Sequence, residues 1–140
     1  MNINNNRQNA HNEIDRVFKV LLPARNMAER PEQVSLCHRM LDAMLDGGIA
    51  LCDAGTGIGK TYAYLVAGTV FSRFRATSGL EVHPLLISTS SIALQNAVRD
   101  EYLPLLSSVL MEDGLAGQPI QAVIRKGKSH YVCDERLENR

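Results

Sequence analysis

The sequence of 140 residues predicts an α/β fold in which helices flank a parallel sheet. Three observations support this prediction. An apolar run at residues 49–52 leads through a glycine-rich loop into a helical pattern at residues 62–74. A second apolar run at residues 84–89 precedes another helical pattern, and residues 120–124 alternate as a third strand. Strands that alternate with helices in this order build right-handed βαβ units, the incomplete half of a doubly wound fold.

Composition excludes several classes of protein. Fifteen basic and fifteen acidic residues cancel, so no net field marks nucleic acid or a membrane as the partner. The three cysteines have irregular spacing and form neither a disulfide framework nor a Cys-x-x-Cys metal pair, which favours a reducing compartment. No apolar stretch approaches the roughly 20 residues that span a bilayer. These features predict a soluble, cytoplasmic protein.

The amino-terminal residues divide into a tail and a helix. Residues 1–11 are rich in asparagine and lack periodicity, so they are predicted to form a disordered tail before a domain that covers residues 12–140. From Asn12 onward, apolar residues recur at helical spacing. This pattern predicts an amphipathic helix that ends near Pro23.

A second helix is predicted to begin at Pro31, because proline is well tolerated in a first turn. It stops at the two glycines of residues 47–48. Cys37 falls on the apolar face and is interpreted as a core residue. His38 has no partner at metal-ligand spacing and is interpreted as structural or exposed. The predicted buried residues are Val34, Cys37, Leu41, Met44 and Leu45.

Residues 54–61 form the glycine-rich loop and match the relaxed phosphate-loop pattern, in which alanine can occupy the first position. Glycines allow successive N–H groups to point at one phosphate, a lysine adds a cation, and a threonine hydroxyl suits Mg²⁺. The sequence therefore predicts a P-loop NTPase, with a glycine-rich turn that binds nothing as the alternative. The candidate nucleotide-binding residues are Ala54, Gly55, Thr56, Gly57, Ile58, Gly59, Lys60 and Thr61.

Two further segments carry polar candidates. The hydroxyls of residues 88–91 follow the second predicted strand, at the sheet edge where ligands bind. Ser90 or Ser91 could equally cap the following helix. Near the carboxyl end, Arg125, Lys126 and Lys128 place three cations within six residues. Such a run either contacts nucleic acid or forms a solvated turn.

These motifs together resemble the start of the XPD/DinG-type iron–sulfur helicases of superfamily 2, over about residues 30–137. Residues 30–33 are similar to the family's Arg-Pro-x-Gln element, and residues 52–65 to its phosphate loop, with Asp53 where glutamate is usual. Residues 86–95 resemble the motif after the second strand. Residues 122–133 resemble the entry to the cluster domain, with Lys128 in place of arginine and His130 in place of asparagine.

The resemblance implies a RecA-like motor domain that couples ATP hydrolysis to 5′-to-3′ translocation on single-stranded DNA. It implies that Lys60 and Thr61 act on the phosphates and Mg²⁺, that Arg30 and Gln33 lie at the adenine, and that Cys133 is the first of four ligands to a four-iron four-sulfur cluster. The DNA contacts implied are Ser88, Thr89, Ser90, Gln95, Lys126, Lys128 and Tyr131.

Several parts of the family's machinery are missing from the sequence: the Asp-Glu-x-His box, the second motor domain and the three remaining cluster cysteines. The resemblance therefore implies an amino-terminal fragment that binds nucleotide weakly and does not unwind DNA, with a cluster only in the full-length parent. Two alternatives stay open, a small P-loop metabolite kinase and a non-catalytic nucleotide-binding remnant. The sequence names no protein partner.

Overall fold

The computed structural model describes residues 3–127 and residue 130, and within these residues the regular structure is helical. Short π-helical and 3₁₀ turns at Val17–Leu21, Pro23–Arg25 and Val98–Tyr102 connect the helices. No described helix is both long and apolar enough to cross a membrane. The α-helices are α1 (Ile3–Arg16), α2 (Pro31–Leu45), α3 (Lys60–Thr77), α4 (Ile92–Ala97) and α5 (Leu103–Glu112).

The predicted α/β fold with a RecA-like parallel sheet is wrong for the described residues, which contain no strand. The three predicted strands, at residues 49–52, 84–89 and 120–124, are irregular. Several of their large side chains are in solvent, with exposed fractions of 94% for Ile49 and 86% for Val123, whereas Ile120 packs partly buried against the core. A strand needs a neighbour that pairs its backbone and covers its side chains, and a short apolar run does not specify that neighbour.

The predicted disordered tail also requires correction, because α1 already begins at Ile3. Ala10 is buried, and the Arg7 guanidinium pairs with Asp42 of α2 at 2.7 Å. Asparagine has a weak intrinsic preference for helix. Contacts with the neighbouring helix therefore override the local propensity that suggested a tail.

The core lies where α1, α2, α3 and α5 meet. α2 packs against α3, and α1 packs against both of them. Cys37 is fully buried, which confirms its interpretation as a core residue; Val34 and Leu41 are buried beside it, as predicted. The largest fully buried side chains are Ile14, Val17, Phe18, Cys37, Leu41, Val66 and Leu106.

The ends of α2 follow the local sequence closely. Pro31 occupies its first turn, and Arg30 before it has an extended backbone. After Leu45 the chain turns at Gly47, where φ is +63°, and the Gly48 N–H donates to the Ala43 carbonyl at 2.8 Å. This left-handed stop is the one that glycine favours, and it confirms both predicted ends of α2.

Ion pairs at the rim of the core join helices that are distant in sequence. Arg73 of α3 pairs with Glu13 of α1 at 3.0 Å, and Arg16 of α1 pairs with Asp113, which follows α5. Partly exposed pairs contribute only about 0–1 kcal/mol each. The stability of the fold therefore depends mainly on the apolar core.

Replacement of Phe18 by alanine is expected to lower the free energy of unfolding by about 3–5 kcal/mol, because the ring is 1% exposed and leaves a cavity. Urea denaturation monitored by circular dichroism measures this loss. Val20→Ala is the control, since Val20 is 52% exposed and its loss should cost about 0.5 kcal/mol or less. Equal losses for the two variants would contradict this assignment of the core.

Candidate nucleotide-binding site

The glycine-rich loop leads directly into α3, and two of its glycines have a left-handed backbone conformation. Gly57 and Gly59 each have φ of +84°, and Gly59 is the residue that caps the start of α3. The left-handed conformation raises the conformational free energy of a residue with a Cβ by about 1–2 kcal/mol, whereas glycine adopts it without this cost. The amino terminus of an 18-residue helix therefore faces the loop, with the positive end of its dipole.

Lys60 is folded back over the loop. Its ammonium group donates to the carbonyls of Ala54 at 2.8 Å and Gly55 at 2.7 Å. Lys60 is exposed, so the cation lies on the solvent side of the loop. Thr61 follows it in the first turn of α3 and is half-buried.

The start of α2 holds the loop through two side chains. The Gln33 amide Nε2 donates to the Gly59 carbonyl at 2.6 Å, and the Arg30 guanidinium donates to the Gly57 carbonyl. Gln33 is only 6% exposed, so its amide contact is made out of solvent. Arg30 and Gln33 therefore lie beside residues 54–61, and their described contacts are with the loop backbone.

Gly59 also lies very close to the Gln33 side chain of α2. A Cβ built at Gly59 would collide with Nε2 of Gln33, whereas a Cβ at Gly57 would meet no atom of residues 3–127 and 130 within 4 Å. The glycine at residue 59 is thus required twice, once by its backbone angle and once by the buried amide next to it.

A cleft of about 530 Å³ lies between part of α2 and the first residues of the loop. Carboxylates and a guanidinium line it together with the backbone that precedes Gly55, so its walls offer both charge signs. The cleft is lined by Pro31, Glu32, Ser35, Leu36, Arg39, Leu51, Cys52, Asp53, Ala54, Gly55 and Ile58.

The predicted DNA-contacting hydroxyls lie before α4 and make local contacts. Ser91 is the N-cap of α4, where its Oγ accepts from the Leu94 N–H at 3.2 Å, so the capping alternative is confirmed for Ser91. The Thr89 hydroxyl accepts from the Ser91 N–H at 3.1 Å, while Ser88 and Ser90 are exposed. Gln95 lies on α4, and its Oε1 is buried without a hydrogen-bond partner among the described residues.

The remaining predicted residues fall at the carboxyl end of the described chain. Lys126 lies half-buried in an irregular segment, and Lys128, Tyr131 and Cys133 lie outside the described residues. Cys52 is exposed in the cleft, whereas burial raises the pKa of the Cys37 thiol far above its usual value. Residues 3–127 and 130 bring together no group of three or more His, Cys, Asp or Glu side chains suited to a metal ion.

The sequence is similar to several curated proteins over most of its length, among them two DinG proteins and a YoaA protein. It is 32% identical to the 3′-5′ exonuclease DinG of Bacillus subtilis over 110 residues, and this matched stretch makes up 79% of this chain and 10% of that protein. It is 35% identical over 101 residues to the ATP-dependent DNA helicase DinG of Photobacterium profundum, 72% of this chain and 12% of that protein. It is 35% identical over 109 residues to the ATP-dependent DNA helicase YoaA of Escherichia coli, 78% of this chain and 15% of that protein.

No family model and no solved structure matches the chain. The matched proteins nevertheless place it among relatives of DNA-processing enzymes. The chain belongs to the family of the DinG-type helicases, as the sequence motifs predicted. The chain spans about a tenth to a seventh of the length of these three relatives.

Sequence reasoning placed Arg30 and Gln33 at the nucleotide and missed their contacts with the loop carbonyls. The sequence signal that could have indicated these contacts is the position of Gln33 on the apolar side of α2, next to Val34. A buried amide must find a hydrogen-bond partner, but the sequence does not identify which carbonyl supplies it.

The two glycines at φ +84° provide a matched test of the loop. Both Gly57→Ala and Gly59→Ala introduce backbone strain, but only Gly59→Ala also displaces the Gln33 amide. Gly59→Ala is therefore expected to lower the free energy of unfolding by about 1–3 kcal/mol more than Gly57→Ala does. Urea denaturation of both variants measures the difference, and equal losses would show that Gln33 does not hold Gly59.

Proposed function

We propose that this chain provides the nucleotide-binding part of the first motor domain of a DinG-type ATP-dependent DNA helicase, acting on single-stranded DNA in the cytoplasm. The observation that carries the proposal is the loop at the start of α3, with Gly57 and Gly59 in the left-handed conformation and Lys60 beside them. The proposed translocation polarity, 5′ to 3′, rests on the family resemblance.

The matched stretches support the proposal because they necessarily contain this loop. A stretch of 101 residues in a chain of 140 must include residues 40–101, wherever it begins. Residues 54–61 therefore fall within the similarity to each of the three relatives, which match over 101 to 110 residues. Two of those relatives have ATP-dependent helicase names.

The loop residues fit a nucleoside triphosphate with Mg²⁺. Lys60 would leave the carbonyls of Ala54 and Gly55 and donate to the β- and γ-phosphates, and the Thr61 hydroxyl would ligate the cation. When bound, Mg²⁺ would neutralise part of the charge that develops as the γ-phosphoryl group leaves. Gln33 and Arg30 would orient the loop from α2, and they would contact the adenine where the resemblance places them.

Cys133 is proposed as an iron–sulfur ligand only within a longer protein, because such a cluster requires four ligands. The hydroxyls of Ser88, Thr89 and Ser90, the Gln95 amide, and the side chains of Lys126, Lys128 and Tyr131 are the proposed contacts to the DNA strand. Backbone phosphates attract such cations and hydroxyls irrespective of base sequence.

Phosphate release by the chain, measured with and without single-stranded DNA, separates the candidate functions. Stimulation by DNA supports the helicase, because only a DNA motor couples hydrolysis to the strand. ADP that forms only when a small-molecule acceptor is added supports a metabolite kinase. Nucleotide binding without either reaction supports a non-catalytic remnant.

Lys60→Ala is expected to weaken Mg–ATP binding on the order of 10- to 100-fold, since loss of a hydrogen bond to a charged group costs about 1.5–3 kcal/mol. Isothermal titration calorimetry gives the dissociation constants. Lys19→Ala is the control, because Lys19 lies in the turn after α1 and pairs with Asp15. If Lys60→Ala binds as tightly as the native chain, the assignment of residues 54–61 as a phosphate loop is wrong.

A further inference from the structure

Two histidines meet where α1 packs on α2. The rings of His11 and His38 lie edge to edge with their planes 22° from parallel and their centroids 5.0 Å apart, and their Nδ1 atoms are 2.8 Å apart. Each Nε2 atom faces a carboxylate oxygen, His11 at 3.1 Å from Asp42 and His38 at 3.2 Å from Asp15. His38 thus has the partner that its sequence spacing did not reveal. We call these two residues the imidazole pair.

The geometry fixes the number of protons in the imidazole pair. The chain Asp42–His11–His38–Asp15 contains three hydrogen bonds, and ionised carboxylates can only accept. Three N–H groups are therefore needed from the two rings. Two neutral imidazoles supply only two N–H groups, which is one too few. Two imidazoliums supply four, so that both Nδ1 atoms carry a proton and neither can accept the hydrogen bond between them. Only one neutral ring and one charged ring satisfy all three contacts.

The surrounding charges favour the same state. Besides Asp15 and Asp42, the facing groups are Asp46 and Arg7, which pair with each other at 2.6 Å, and Lys19, which pairs with Asp15 at 2.8 Å. Three carboxylates thus face two permanent cations, and one imidazolium balances the remaining negative charge. On the α3 side of α1, Glu13 is already paired with Arg73. The pair is three-quarters or more buried, with side-chain exposures of 20% and 25%, so solvent screens these charges only in part.

We propose that the folded chain holds one shared proton in the imidazole pair, which makes the packing of α1 on α2 strongest near pH 6.5 and weaker on both sides. This inference depends on the helix interface alone and is independent of the proposed nucleotide site.

The direction of the pH dependence follows from proton counting. Histidines in an unfolded chain titrate near pH ~6.5, so the two together bind about one proton there. Above this pH the folded state binds more protons than the unfolded state, and stability falls as pH rises. Below it the unfolded state binds more, and stability falls as pH decreases. A folded state that holds one proton throughout gives a folding equilibrium constant about 8-fold lower at pH 5 and at pH 8 than at pH 6.5.

Urea denaturation between pH 5 and pH 8 tests the proposal on three versions of the 140-residue chain: native, His11→Gln/His38→Gln, and His83→Gln. The ratio of the folding constants of the native chain and the double variant is expected to peak near pH 6.5 and to fall about 8-fold at each limit. His83→Gln should keep the native profile, because His83 is 61% exposed on the segment before residues 84–89. A ratio that is flat or changes in one direction only overturns the proposal.

Nitrogen NMR of the native chain keeps the test independent of whether the double variant folds. At pH 6.5 the ¹⁵N signals of His11 and His38 should show three bonded ring N–H groups shared between the two rings. Two neutral rings, or two fully charged rings, would overturn the shared proton. The ¹⁵N signals of His83 serve as the reference for an exposed imidazole.

Discussion

The buried amide of Gln33 controls the junction on which the candidate site depends. The Gly59 carbonyl that it binds at 2.6 Å also accepts the Ala63 N–H at 3.3 Å, in the first turn of α3. One backbone carbonyl therefore joins α2, the loop and α3. A buried polar group that loses its partner costs about 1–3 kcal/mol, so the loop conformation and the position of α2 stabilise each other.

α2 links this junction to the rest of the molecule. Its first turn contacts the loop, its middle buries Cys37 and Leu41 in the core, and its polar side presents His38 and Asp42 to α1. A shift of α2 would therefore change the loop, the core and the imidazole pair together. Side chains in a well-packed core do not adjust independently, which makes such coupling the normal outcome.

The success of sequence reasoning depended on the range of the interactions involved. Both ends of α2 were predicted, because Pro31 and Gly47 act within one helical turn. The glycine-rich loop was predicted for the same reason, since φ of +84° at Gly57 and Gly59 is a local property of glycine. The parallel sheet was wrong, because its apolar segments need partners that periodicity does not supply, and Leu86 is instead 91% exposed.

The sequence by itself determined the phosphate-loop pattern, the boundaries of α2 and the relationship to DinG-type helicases, because these depend on residue types at fixed spacing. Only the tertiary structure decided that Gln33 holds Gly59, that residues 3–11 are helical, and that His11 meets His38. Each of these features joins or stabilises segments through contacts more than twenty residues apart in the chain. The free energy of such contacts depends on which surfaces the packing brings together, and the local sequence does not encode that choice.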